Sequence, residues 1–153
     1  MREFRIEPIR ESRERLCREI LTELPDWFGI PEAIDDYAVF AEHADMFGAI
    51  AGRFVGGFVV LRNTSEVASE IVVMAIRPTL HRRGLGAALV RAASSWASES
   101  GRRYLTVKTV GPSRANAAYE KTRCFYLAVG FEPIEELIGL WEENPCLLML
   151  KGV

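Results

Sequence analysis

Residues 70–87 read Glu-Ile-Val-Val-Met-Ala-Ile-Arg-Pro-Thr-Leu-His-Arg-Arg-Gly-Leu-Gly-Ala. Ile71 to Ile76 is apolar throughout and rich in β-branched side chains, the pattern of a strand buried on both faces. Pro78 stops it, and a helix is predicted from Arg82 to about Ser100. Leu85, Leu89, Ala92, Ala93 and Trp96 form its apolar stripe, and Gly101 ends it. The first turn of a helix carries unpaired backbone N–H groups and the positive end of the helix dipole. Gly84 and Gly86 sit in that turn beside Arg82 and Arg83. A glycine there lets an anion approach the backbone with no Cβ in the way. The stretch therefore reads as an anion site suited to a pyrophosphate; the plainer alternative is a loose helix start with a solvated basic turn. No third glycine or following acidic residue makes it a dinucleotide fingerprint, and no Gly-Lys-Ser/Thr makes it a Walker loop.

Outward from this segment the elements follow from period and punctuation. Toward the N-terminus, Phe4 and Ile6 alternate with charges and stop at Pro8, which predicts a short strand. Ser12 to Leu24 has Leu16, Ile20 and Leu24 at helical spacing, and Pro31 opens a second helix to about His43 with Ile34, Tyr37 and Ala41 on one stripe. Met46–Ala51, Phe54–Leu61 and Val67–Arg77 are strands joined by the turns Gly52-Arg53 and Arg62–Ser65. Toward the C-terminus come a strand at Tyr104–Val110, a helix N-capped by Ser113 and closed by Gly130, and strands at Phe131–Leu137 and Cys146–Lys151. The order β-α-α-β-β-β-α-β-α-β-β predicts an α/β fold, a mixed, largely antiparallel twisted sheet with helices on both faces.

The chain has 153 residues, 49% hydrophobic and 26% charged, which suits one globular domain over residues 1–153. Nineteen Lys+Arg against 21 Asp+Glu give a net charge of −2, without the basic surplus that drives nucleic-acid binding. Apolar runs are far shorter than the roughly 20 residues of a membrane span, and no signal-peptide core is present, so no membrane partner is expected. Cys17, Cys124 and Cys146 are too scattered for a disulfide framework, and with two histidines no metal site is expected. A cytoplasmic protein is the resulting expectation. The apolar C-terminal strand suggests pairing in a homodimer.

Ile76-Arg77-Pro78 followed by His81-Arg82-Arg83-Gly84-Leu85-Gly86-Ala87 resembles the acyl-coenzyme A signature of the GNAT N-acetyltransferase superfamily: Gln or Arg, two residues, Gly, one residue, Gly or Ala. Phe125-Tyr126, three residues, then Gly130-Phe131 is similar to the family's second motif. Two departures stand out. His81 occupies the Gln/Arg place, and Tyr119 occupies the place of an Asn that often precedes the motif tyrosine, with Asn116 off register.

The resemblance implies acetyl-coenzyme A as acyl donor, no metal, and direct acyl transfer to an amine without a covalent enzyme intermediate. It implies Tyr126 as proton donor to the leaving thiolate. It implies Glu70 as general base, directly or through water. His43 and Glu42 are rival bases. Met74, Ala75 and Ile76 are expected to offer main-chain groups to the pantetheine arm along a strand edge opened by a bulge. Arg82, Arg83, Gly84, Leu85, Gly86 and Ala87 are expected at the pyrophosphate. Tyr119, Arg123 and Tyr126, one face of the second long helix, are expected to flank the cofactor. Trp27, Phe28 and Trp141 as aromatic walls, with Asp26, Glu142 and Glu143 as charges, suit a cationic acceptor amine on a small molecule or peptide. The alternative function is an acyl-coenzyme A-binding regulatory module without turnover.

Overall fold

A computed structural model describes residues 2–153. Seven strands and four helices follow in the expected order: β1 (Arg5–Pro8), α1 (Arg13–Thr22), α2 (Pro31–Glu42), β2 (Asp45–Ala51), β3 (Phe54–Asn63), β4 (Ala68–Ile76), α3 (Leu85–Glu99), β5 (Tyr104–Val110), α4 (Ala117–Ala128), β6 (Glu132–Leu137) and β7 (Cys146–Gly152). They form one sheet in the order β1-β2-β3-β4-β5-β7-β6. Only β4 and β5 are parallel, as expected for the strands joined through the α3 crossover.

Two cores sandwich this sheet. On one face Leu89, Val90, Ala93 and Ala97 of α3, with Tyr126 of α4, pack on Val59, Ile71, Leu105, Val107 and Met149. On the other, Cys17, Ile20 and Leu21 of α1 and Ala38 and Ala41 of α2 pack on Phe58, Val60, Val73 and Ala75. The side chains of β4 divide between the two, Met74 and Ile76 toward α3 and Val73 and Ala75 toward α1. This is why its sequence is apolar without alternation.

The sheet parts in its middle. β4 pairs with β5 over four residues, Ala68 with Tyr104 through Ile71 with Val107, and no further. At that point a bulge interrupts β4: Leu61 opposes Ile71 and Val60 opposes Val73, so Val72 has no partner on β3. Bulges of this kind bend a strand and end its pairing. β5 meanwhile runs on with β7 to Val110. A V-shaped opening results, with its apex at Ile71 and Val107.

Three expectations are corrected. Ser113 does not cap α4: its backbone N–H donates to Glu136, and residues 111–115 form a loop. Asn116 is the cap, its side-chain oxygen accepting from Ala118 N and Tyr119 N at 3.0 and 3.2 Å. Helix α3 begins at Leu85 rather than Arg82, because Arg82 and Gly84 both hold positive φ, 65° and 78°. Strand β7 lies between β5 and β6, so both of its hydrogen-bonding edges are filled and it cannot pair with a second copy. The edges of the sheet are β1 and β6; on β6, Glu132, Pro133, Glu135 and Glu136 are residue types that blunt an edge.

The capping assignment is measurable. Asn116→Ala should lower stability by about 1 kcal/mol in urea unfolding, while Ser113→Ala stays within about 0.5 kcal/mol.

Candidate active site

The opening has a free strand edge along one side. The Arg77 N–H donates to Gly56 O at 2.9 Å. In an antiparallel ladder bonded and non-bonded pairs alternate, so Ile76 and Met74 turn their backbone groups away from β3 and into the opening. The Ile76 carbonyl shows this directly: the Nε2 of His81 meets it at 2.8 Å.

At the end of this edge the chain makes a single 3-10 turn, Pro78–Leu80, and enters the glycine segment. No backbone N–H from Arg82 to Ala87 donates to another backbone group; the first that does is Ala88, to Gly84 O at 3.1 Å. No side chain accepts from them either among the described residues. Alternating positive φ at Arg82 and Gly84 is the geometry that turns successive amides toward one point, as in anion-binding nests. Holding a non-glycine residue such as Arg82 in the left-handed region costs about 1–2 kcal/mol. Strain of this kind persists where a site requires it.

The two glycines are there for different reasons. A Cβ on Gly84 would meet nothing within 4 Å, whereas one on Gly86 would stand 3.0 Å from the Phe125 ring. Gly84 supplies the left-handed turn and leaves open space beside it. Gly86 lets α3 lie close against α4. The unpaired amides and the open volume fit the pyrophosphate of a coenzyme A thioester.

Helix α4 forms the far wall. Tyr126 is its most buried residue, 6% exposed, and packs edge-on between Phe125 and Phe131 with centroids at 5.3 and 5.4 Å. It therefore joins the core face of the helix rather than lying apart from Phe125. Burial, with Tyr119 and Tyr37 nearby, pushes its hydroxyl well above the usual phenol range, so it stays protonated at neutral pH. Arg123 donates to the Val110 carbonyl at 2.7 Å and thereby fastens α4 to the end of β5. Tyr119, pushed up to about 12 mainly by burial, donates its hydroxyl to the Trp27 carbonyl.

Trp27 proves to be a hub. Its indole N–H lies 2.9 Å from Thr122 Oγ1 and 3.2 Å from the Ala118 carbonyl, and its ring meets His81 edge-on at 5.8 Å. The loop between α1 and α2 is thus tied both to α4 and to the segment that leads into the amides. Phe28 stacks edge-on with Tyr37 of α2 at 6.1 Å. The loop between β6 and β7, which carries Trp141, Glu142 and Glu143, is held by Arg114, whose Nη1 donates to Glu143 O at 3.0 Å and to Asn144. Both loops anticipated around the acceptor are anchored at the N-terminal end of α4 or in the loop before it.

Glu70 is 4% exposed and lies on β4 one residue before the apex. Arg62 on β3 and Lys108 on β5 hold its two oxygens, each at 2.7 Å. Neither cation was singled out in the sequence. By sequence Arg62 reads as part of a turn and Lys108 as an alternate strand position, where a charge ordinarily means a solvent face; the structure instead continues β3 through Asn63, which pairs Arg62 with Glu70. His43, the rival base, lines a shallow cavity of about 400 Å³ with Arg62, Phe40 and Val39, and Arg62 reaches from that cavity to Glu70. Glu42 accepts from the Glu14 backbone N–H at 2.9 Å and serves to join α2 to α1.

Comparison with known proteins agrees with this fold. The family model described as Acetyltransferase (GNAT) domain matches residues 35–133, and the chain belongs to that family of acetyltransferases. No curated protein matches its sequence. Among solved structures, a GNAT-family protein from Desulfovibrio desulfuricans superposes with a TM-score of 0.84 at 18% identity, covering 98% of this chain and 99% of the other. A GNAT acetyltransferase from Elizabethkingia anophelis, solved with acetyl-CoA bound, gives 0.76 at 16% identity over 98% of each chain. The ribosomal-protein-S18-alanine N-acetyltransferase from Escherichia coli gives 0.77 at 15% identity, covering 99% and 94%. At these identities the likeness concerns the fold.

Gly86→Val should destabilise the protein by roughly 1–3 kcal/mol through overpacking against Phe125. Gly86→Val combined with Phe125→Leu should recover part of that loss in thermal unfolding, because the clash is with the ring.

Proposed function

We propose that this acetyltransferase moves the acetyl group of acetyl-coenzyme A to a primary amine of a small molecule or peptide by direct attack. The observation that carries the reading is the run of unpaired amides from Arg82 to Ala87 at the end of the free edge of β4. The amides and the edge groups of Met74 and Ile76 would hold the donor, which when bound supplies a thioester carbonyl and a thiol leaving group.

Glu70 is the general base in this reading. A protonated amine cannot attack, and the carboxylate stands beside the apex where the two strands part. Its ion pairs fix its position; taking a proton on Oε2 requires the Lys108 ammonium to give way. Tyr126 is the proton donor. Its raised phenol is a weaker acid than the thiol it would protonate, so it acts by donating a hydrogen bond as charge develops on sulfur rather than by ionising beforehand. The acceptor would enter between the Trp27–Phe28 and Trp141–Glu142 loops, where Asp26, Glu142 and Glu143 favour a cation. The balanced charge and this acidic mouth favour an amine over nucleic acid.

Thiol release against a panel of primary amines tests the reading, and no release with any amine overturns it. Tyr126→Phe should lower turnover by about 10²–10⁴-fold with donor affinity retained, the range of general acid catalysis. Because burial raises this phenol, turnover of the parent should show no loss from its ionisation up to about pH 10, the ordinary tyrosine value. Glu70→Gln should be most impaired near pH 6 and recover toward pH 9, as the free fraction of an alkyl amine rises about tenfold per unit below its pKa near 10.4. A flat ratio of kcat/KM near one removes Glu70 from the mechanism.

A further inference from the structure

The Glu70–Lys108 contact places a primary amine of the protein where the proposed mechanism needs the amine of a substrate. Lys108 is the first residue of β5 beyond the parallel pairing, which ends at Val107. Its side chain spans the apex, with Nζ 2.7 Å from Glu70 Oε2. In register Arg62 faces Glu70, and Glu70 faces Thr106, two residues before Lys108. All of them therefore share the sheet face on which α2 lies, and Arg62 also stacks over Phe40 of α2.

The direction of the donor follows from the same map. The amides of Arg82–Ala87 lie at one end of the free edge, past Ile76. The apex lies at the other, beside Val72 and Ile71. An acyl-coenzyme A carries its phosphates and its acyl group at opposite ends. With the pyrophosphate on the amides and the arm along Ile76 and Met74, the acyl group is delivered to the apex, where the Lys108 amine already stands.

Residue choice adds a second, independent observation. The chain uses arginine almost throughout: among its 19 basic residues only Lys108, Lys121 and Lys151 are lysines. For a purely structural ion pair the fork of an arginine suits a carboxylate better, and Arg62 already plays that part on the same group. Lys108 is 32% exposed in its side chain and Glu70 5%, so the amine keeps a route to solvent while its partner does not.

We propose that Lys108 is an acetylation site of the enzyme itself, modified in cis by acyl-coenzyme A. The inference rests on the reading of Glu70 as general base. In the step, the ammonium gives one proton to Glu70 and the neutral nitrogen attacks the thioester carbonyl. The Nζ–carbon bond forms and the carbon–sulfur bond breaks. The electron pair leaves on sulfur, which takes up the second nitrogen proton by way of Tyr126, and the proton on Glu70 passes to solvent. The products are an amide on Lys108 and the free thiol. The modified side chain no longer carries the charge that holds Oε2.

The test is to incubate the intact protein with acetyl-coenzyme A and no added amine, then map acetyl groups by peptide mass spectrometry. The expected result is one acetyl group per chain, on Lys108, formed with a first-order rate constant independent of protein concentration. It should be slowed at least about 10²-fold in Glu70→Gln, the lower end of a general base's contribution, and absent in Lys108→Arg. Circular dichroism should show that both variants keep the fold. An unmodified Lys108 overturns the proposal; so does acetylation spread equally over Lys121 and Lys151, equal modification of heat-unfolded protein, or an undiminished rate in Glu70→Gln. Thiol release with external amines run in parallel separates the two readings. Release with Lys108 unmodified sinks this inference alone, whereas no release from any acceptor sinks the proposed function with it.

Discussion

The structure turns on the parting of β4 from β5 after four residue pairs. A sheet normally pairs its backbone groups to the end of each strand, and a buried N–H or C=O left without a partner costs about 1–3 kcal/mol. Here the edge of β4 beyond Ile71 is given up by β5, which stays with β7. The bulge at Val72 bends β4 away. Ile76 O finds a substitute partner in His81. The opening is thus a strand-shaped socket, and a ligand with amide groups of its own can take the place of the missing strand.

Everything around the socket keeps it open at both ends. At the glycine end, the left-handed Arg82 and Gly84 delay the start of α3 until Leu85, which leaves a turn of amides with no partner among the described residues. Close packing of Gly86 on Phe125 lets α3 and α4 approach behind that turn. At the apex, the pair of cations on Glu70 ties β3, β4 and β5 together on the face under α2. This is the last cross-link before the strands diverge. Removing one partner of such a group leaves a buried charge without full compensation.

The loops beside α4 are held indirectly. Trp27 does not simply stand in a loop facing solvent; its N–H and carbonyl are both spent on α4, and its ring rests on His81. The departure at position 81 from the family's usual Gln or Arg acquires a physical role in this way. An imidazole there reaches the open edge with one nitrogen and meets the tryptophan ring at nearly a right angle. Asn116, off register for a ligand contact, is spent on capping α4.

Chain order, element types and the glycine-rich turn of unpaired amides were legible in the sequence because they depend on local chemistry: side-chain period, proline and glycine punctuation, and the orphan N–H groups of a helix start. Residues 71–76 could only be a strand covered on both faces, and Gly84 with Gly86 after it could only open a helix. Which glycine faces open space and which meets Phe125 was not legible, since both are the same residue within one turn and the ring that separates them comes from 39 positions beyond Gly86. The cap of α4 was misplaced by three residues because Ser113 and Asn116 are both good caps, and the choice falls to Glu136, which takes the Ser113 N–H from another strand. Glu70 stood out in sequence as a charge before an apolar run. Its two cations did not, because Arg62 and Lys108 become its neighbours only through the registers of β3 and β5 against β4. Composition and periodicity decide what each segment is; strand register decides which charges meet, and a carboxylate's chemistry depends on whom it meets.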